Sequence, residues 1–233
     1  MIGKSLLQRL IALIALFTVT SAANAQMTSA TLGDMEAEKY FVRLIQFPET
    51  HGDANVTIHC FAILKANGRI EKQAGCYLNN NWEPIFIEAV QKASKKAELV
   101  PARDGKKTKK VGLMFQVEFI KIGDEQTIRI YLNTGIQENV DEYGAEHIGA
   151  QRVLGKEAWD KVCPKHAGWV VLARAHVNDQ GVASSVTLGH GSGIVPTGTC
   201  QQAIVDTITS SQFAPAYVDG IAVPSSYVEP FGN

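Results

Sequence analysis

The feature that most restricts what this chain can fold into is an internal repeat: the stretch Val56 to Phe119 and the stretch Ala167 to Phe231 follow one plan. The later copy runs from the apolar Trp169-Val170-Val171-Leu172 through a turn at Asn178-Asp179-Gln180-Gly181 to a second short run, Val182 to Leu188. A polar Gly-rich loop follows, then a helix-like segment from Cys200, then Phe213-Ala214-Pro215-Ala216, a turn at Asp219-Gly220 and a last strand ending near Glu229. The earlier copy has Thr57 to Lys65, a turn at Ala66-Asn67-Gly68, Arg69 to Tyr77, a helix from about Trp82, Leu99-Val100-Pro101-Ala102, a turn at Asp104-Gly105 and a strand from Val111 to Ile122. Gly68 and Gly181 are 113 residues apart, Ala89 and Ala203 are 114 apart, as are Pro101 and Pro215, and Gly105 and Gly220 are 115 apart. A spacing that drifts by single residues, with the changes in loops, is what two diverged copies of one unit give.

Periodicity fills in the units. Val56, Ile58, Cys60, Ala62 and Leu64 share one face of a strand, with Thr57, His59, Phe61 and Ile63 opposite. In the second copy Trp169, Val171, Ala173, Ala175 and Val177 alternate in the same way with Val170, Leu172, Arg174 and His176. One apolar and one mixed face is the pattern of a sheet covered on one side by a helix. The first helix carries its stripe at Ile85, Ala89, Val90, Ala93 and Ala97, the second at Ala203, Ile204, Thr207 and Ile208. Thr199-Cys200-Gln201-Gln202 has the spacing of a capping box, which sets the second helix start at Thr199. Val111 to Ile122 alternates as a long strand, turns at Gly123-Asp124-Glu125 and gains a hairpin partner from Thr127 to Leu132. The last strand of the second copy, bracketed by Pro224 and Pro230, has no such partner, so it is expected to be an open edge.

The chain outside the repeat divides as follows. Lys4 and Arg9 precede an apolar run from Leu10 to Val19 that ends in Ala23-Asn24-Ala25, the pattern of a secretory signal peptide over residues 1–25. Gln26 to Glu38 reads as a flexible lead, and Tyr40 to Phe47 as either a strand or a short helix. The first unit covers 38–134 and the second 161–233, with 135–160 as a partly helical connector whose best helix candidate is Ala145 to Trp159.

Four cysteines, an even number in an exported chain, point to structural disulfides rather than a metal, because they come singly, without the close Cys-Cys or His-His spacing of a zinc site. Cys60 and Cys76 flank the first turn at nearly equal distances, which favours Cys60–Cys76 and leaves Cys163–Cys200. Without the leader the chain holds 20 basic and 23 acidic residues, a net charge of −3, which offers no basic face for nucleic acid. The basic run Lys106 to Lys110 sits at a turn and reads as a solvated hairpin tip.

The order of hairpin with an Asn turn, Gly and Ser loop, Ala-bearing helix, aromatic-x-Pro-Ala, Asp-Gly turn and final strand resembles the TonB C-terminal domain. The residues that carry the resemblance are Val177-Asn178-Asp179-Gln180-Gly181, Gly191-Ser192-Gly193, Ala203, Phe213-Ala214-Pro215-Ala216 and Asp219-Gly220. The first unit matches through Asn67-Gly68, Glu88-Ala89-Val90, Pro101-Ala102 and Asp104-Gly105. The resemblance implies an α+β fold of two units, each an antiparallel sheet of about three strands with one packed helix, in the periplasm. It also implies an extended protein or peptide partner, such as an outer-membrane transporter segment, added at a sheet edge. Val223, Ser225, Ser226, Tyr227 and Val228 are then the binding edge. Two other readings share these residues: a membrane-tethered TonB-like energy transducer that keeps its N-terminal helix, and a structural or dimerising envelope scaffold.

Catalytic signatures are lacking. Gly189-His190-Gly191-Ser192-Gly193 has Ile194 where a dinucleotide loop needs its third glycine and where a nucleophile elbow needs its second. The expectation is a binding protein and not an enzyme, with no cofactor, no metal and no small-molecule substrate. The sequon-like Asn55-Val56-Thr57 is expected to be idle in a bacterium.

Overall fold

The computed structural model describes residues 27–33, 35–78, 84–165, 168–194 and 196–232; the leader read at 1–25 and Trp82 lie outside them. In chain order come α1 (Met35–Leu44), β1 (Ala54–Leu64), β2 (Gly75–Leu78), α2 (Ile85–Ser94), the small hairpin β3 (Arg103–Asp104) and β4 (Lys107–Thr108), then β5 (Val111–Ile122) and β6 (Glu125–Tyr131). The connector supplies α3 (Gln137–Tyr143), β7 (Gln151–Arg152) and α4 (Trp159–Val162). The later half has β8 (Trp169–Val177), β9 (Ala183–Gly193), α5 (Gly198–Ser210), β10 (Phe213–Ala214), the hairpin β11 (Ala216–Val218) and β12 (Ile221–Val223), and β13 (Ser225–Gly232). The fold is mixed α+β, and every strand pairing among the described residues is antiparallel.

The first sheet has the order β2-β1-β5-β6 and the second the order β13-β8-β9. In each, the opening strand pairs with the strand that follows it and, on its other side, with the strand that follows the helix and the small hairpin. The turns agree at atomic scale. Gly68 (φ 83°) and Gly181 (φ 75°) both need the left-handed region, and a Cβ would drive into the carbonyl oxygen of Leu99 at the first and of Phe213 at the second. Asn67 Oδ1 accepts from the Arg69 amide at 3.2 Å and Asn178 Oδ1 from the Gln180 amide at 3.0 Å, the side-chain turn that fixes each hairpin.

Burial follows the alternation. Along β1 every second residue from Ala54 to Leu64 is buried, and along β8 Trp169, Val171, Ala173, Ala175 and Val177 face the interior. Each helix is too short to persist alone and is held by the sheet it covers. In the first core Phe86 meets Phe119 edge-on at 5.0 Å and Phe47 meets Phe119 at 5.5 Å. In the second, Phe213 meets Tyr227 at 5.0 Å and Trp159 meets Phe231 at 5.4 Å. Cys60–Cys76 and Cys163–Cys200 are bonded, the usage of an oxidising, extracytoplasmic compartment. No helix among the described residues is long and apolar enough to cross a membrane.

Several expectations change. Tyr40 to Phe47 resolves in favour of helix α1, which ends at Leu44. The stripe of α2 is Phe86, Val90, Ala93 and Ser94 rather than one through Ile85 and Ala89, because the large Phe86 ring turns the helix toward Phe119. The cap of α5 is Thr197, whose hydroxyl accepts from the Cys200 amide; Gln202, assigned to the capping box, instead donates to Asp206 at 2.9 Å. Gly189 to Gly193 is not a loop but the bulged end of β9. Its glycines are required by crowding: a Cβ at Gly193 would strike the Gly168 carbonyl, and one at Gly191 would press on Val170. Ala145 to Ala158 contains no helix; α3 lies before it, and the segment runs extended instead.

That extended segment and the lead Met27 to Thr31 do the same job in the two halves. Thr31 and Thr28 bridge Val100 and Arg103, while Gln151 and Ile148 bridge Ala214 and Tyr217. The lead is therefore ordered, with Met27, Ser29 and Ala30 buried. The halves also interlock. The Gln151 side chain accepts from the Ala30 amide at 2.8 Å and donates to its carbonyl at 2.9 Å, Ser29 Oγ donates to the Pro215 carbonyl at 3.1 Å, and Tyr217 Oη donates to the Met27 carbonyl at 2.6 Å.

Candidate functional site

β13 forms one border of the second sheet, so the residues named as a binding edge are found together there, with one exception. Val223 lies in β12, paired with Ala216. Ser225 and Tyr227 turn their side chains into the core, where Tyr227 Oη donates to Glu229 Oε2 at 2.7 Å. Ser226 and Val228 are half-buried on the opposite face.

The border is not uniform. At Ser226 the Asn139 side chain, reaching over from α3, donates Nδ2–H to the Ser226 carbonyl at 2.8 Å and accepts from its amide at 2.9 Å. One side-chain amide thus makes the two bonds that a residue of an added strand would make. Tyr143 Oη donates to the Pro224 carbonyl at 2.8 Å, closing the same end. The expectation of an open edge through Ser225 and Ser226 is narrowed by these bonds.

The placement of α3 follows from Asn133 and two glycines. Asn133 is buried; its Oδ1 accepts from Gln116 at 2.8 Å and from the Gly135 amide at 2.9 Å, and its Nδ2 donates to the carbonyls of Ala145 and His147. Gly135 (φ 65°) lies against the Gln116 side-chain amide, which a Cβ there would displace from Asn133, and Gly144 (φ 80°) ends the helix. None of this carries a sequence period, which is why Asn139 was not legible as a partner of the last strand.

Beyond Ser226 the alternation of an antiparallel pair sets the Val228 amide and carbonyl, the Pro230 carbonyl and the Gly232 amide on the outer border. A mostly apolar groove of about 460 Å³ runs along Glu229 to Gly232. It takes Glu229, Pro230, Phe231 and Gly232 from β13, Val170 from β8, Leu154 and Trp159 from the connector, and Phe61 and Ile63 from the mixed face of β1. The groove is therefore built by both halves.

Its floor is charged and closed. Arg152 forks onto Glu229, Nε to Oε2 at 2.6 Å and Nη2 to Oε1 at 2.8 Å, and Nη1 reaches both oxygens of Glu157 at 3.1 and 2.9 Å. The guanidinium also lies 5.5 Å from the centre of the Phe231 ring. Burial on its own would weaken the guanidinium's hold on its proton; the bond and charge of Glu229 outweigh that, and the Arg152 pKa is raised. Burial, with the nearby Glu229 charge, holds the Tyr227 hydroxyl well above its ordinary range. Fully paired as it is, this cluster fixes β13 to β7 and is not poised for proton transfer. No group of His, Cys, Asp and Glu among the described residues is arranged to hold a metal ion.

Comparison with known proteins adds no relative: no family model, curated protein or solved structure matches this chain.

Proposed function

We propose that this is an exported protein of the bacterial envelope, made of two TonB C-terminal-like units, that binds an extended segment of a partner protein along the border of β13. The reading rests on the groove beside Glu229 to Gly232, where backbone hydrogen-bonding groups and an apolar trough lie side by side. An added strand needs both, the first for affinity and the second to receive alternate side chains. The shared pairing scheme of the two sheets supports the TonB-like reading, and the two disulfides support export. A transporter segment of an outer membrane is the partner this reading favours.

Titrating isotopically labelled protein with extended peptides of transporter N-terminal type is the test. Shifts are expected in the amides of Val228, Phe231 and Gly232 and in Phe61 and Ile63 across the groove. Peptides that leave all five unmoved at saturating concentration would remove the proposal. The tethered alternative is separated by the mass of the mature N-terminus, since a chain beginning at Gln26 carries no anchor.

A further inference from the structure

Four strands border the two sheets, and three of them carry recognisable protection against edge-to-edge pairing. β13 has Pro230 and the Asn139 cap, β6 carries Glu125 and Arg129, and β2, among the described residues, is four residues long. β9 is different. It runs for eleven residues, no strand among the described residues pairs with its outer border, and not one Asp, Glu, Lys or Arg occurs from Gly181 to Val205. Its two departures from regular pairing fall at Ser185 (φ 53°) and Gly191.

Those irregularities are arranged symmetrically. Ser185 and Gly191 lie three residues to either side of Leu188, and the exposed Val182 and Ile194 lie six to either side. A two-fold axis through Leu188 would set Ser185 against Gly191 of the second molecule, so that bulge faces bulge. It would also set Val182, 57% exposed, against the partner's Ile194, 65% exposed, at both ends of the joint. Large apolar side chains at each end of an uncharged edge are explained by this arrangement and are otherwise a liability.

We infer that β9 is a self-association edge: two copies of this chain join antiparallel through β9 into a continuous six-stranded sheet, β13-β8-β9 of one molecule meeting β9-β8-β13 of the other. The occupant of this edge is a second copy because the spacing about Leu188 is self-complementary and neither edge carries charge to select a foreign strand. The groove beside β13 stays open at both ends of such a dimer, which makes it a bivalent receptor for the partner proposed above.

Sedimentation equilibrium of the mature chain from roughly 1 µM to 1 mM tests this. The native chain is expected to pass from monomer to dimer within that range. Val182→Asp with Ile194→Asp places like charges opposite each other at both ends and is expected to weaken the dimer about ten-fold; Val182→Lys with Ile194→Asp places opposite charges there and is expected to remain within about three-fold of native. A native chain that is monomeric throughout overturns the inference, as does a dimer that both double variants leave equally strong. Peptide titration of the monomeric Asp variant separates this outcome from the groove proposal, because loss of the β9 joint leaves the β13 border untouched.

Discussion

Arg152 and Glu229 are joined by a two-pronged ion pair in which each side chain is only 3% exposed, one from the connector and one from the final strand. A buried pair of this kind adds little over an apolar substitute, but breaking it by removing one partner leaves an unpaired charge. Arg152→Met is expected to lower unfolding free energy by about 3–5 kcal/mol, measured by urea denaturation. Arg152→Met combined with Glu229→Met is expected to recover most of that loss.

Asn139 and Ser226 give a second, more local prediction. Asn139→Ala leaves the Ser226 amide and carbonyl without their partner and is expected to cost about 1–3 kcal/mol. The readout that identifies this cause is amide exchange, which should speed up at Ser226 more than at neighbouring Tyr227, whose backbone faces β8. A uniform acceleration along β13 would instead mean that α3 merely shields the strand.

The two disulfides close loops of different length, 16 and 37 residues apart in sequence. On the chain-entropy account Cys163→Ser with Cys200→Ser should cost about 4 kcal/mol and Cys60→Ser with Cys76→Ser about 3 kcal/mol. The first should lower the melting temperature by about 10 °C, read by calorimetry on protein purified under oxidising conditions. Equal loss in both variants would point to local packing rather than loop closure.

His59 supplies the pH dependence. Burial lowers its pKa from 6.5, opposed by a backbone hydrogen bond at Thr134, and its ring stacks on Tyr77 at 5.6 Å. The folded chain thus binds this proton more weakly than the unfolded chain, so stability falls as pH drops below 6.5 toward the folded value. Thermal midpoints between about pH 7.5 and pH 5 should fall more steeply for the native chain than for His59→Gln.

The strands of both sheets were readable from alternation because one face of each is covered and the other is not; the buried sets on β1 and β8 are those the period of two picks out. The turns at Gly68 and Gly181 were readable because a positive φ admits few residues. The connector misled for a physical reason. Ala150, Val153 and Leu154 have helical spacing, yet they lie on an extended segment whose backbone pairs with Tyr217, Ala214 and Val111. Pairings of that kind join residues far apart in sequence and leave no local period. The Gly-rich end of β9 misled in the opposite way: glycine there answers to the nearness of Gly168 and Val170, not to a need for a loop. At the site, the position of the last strand on a sheet border was legible, whereas the Asn139 cap and the groove walls Phe61 and Leu154 depend on how the halves meet.

The clasp of Gln151 on Ala30, together with Ser29 on Pro215 and Tyr217 on Met27, sews the segment from Met27 to Ala30 to the connector and the later half through four hydrogen bonds. Tension applied at Met27 is consequently shared with the later sheet from the outset instead of first unravelling the earlier one.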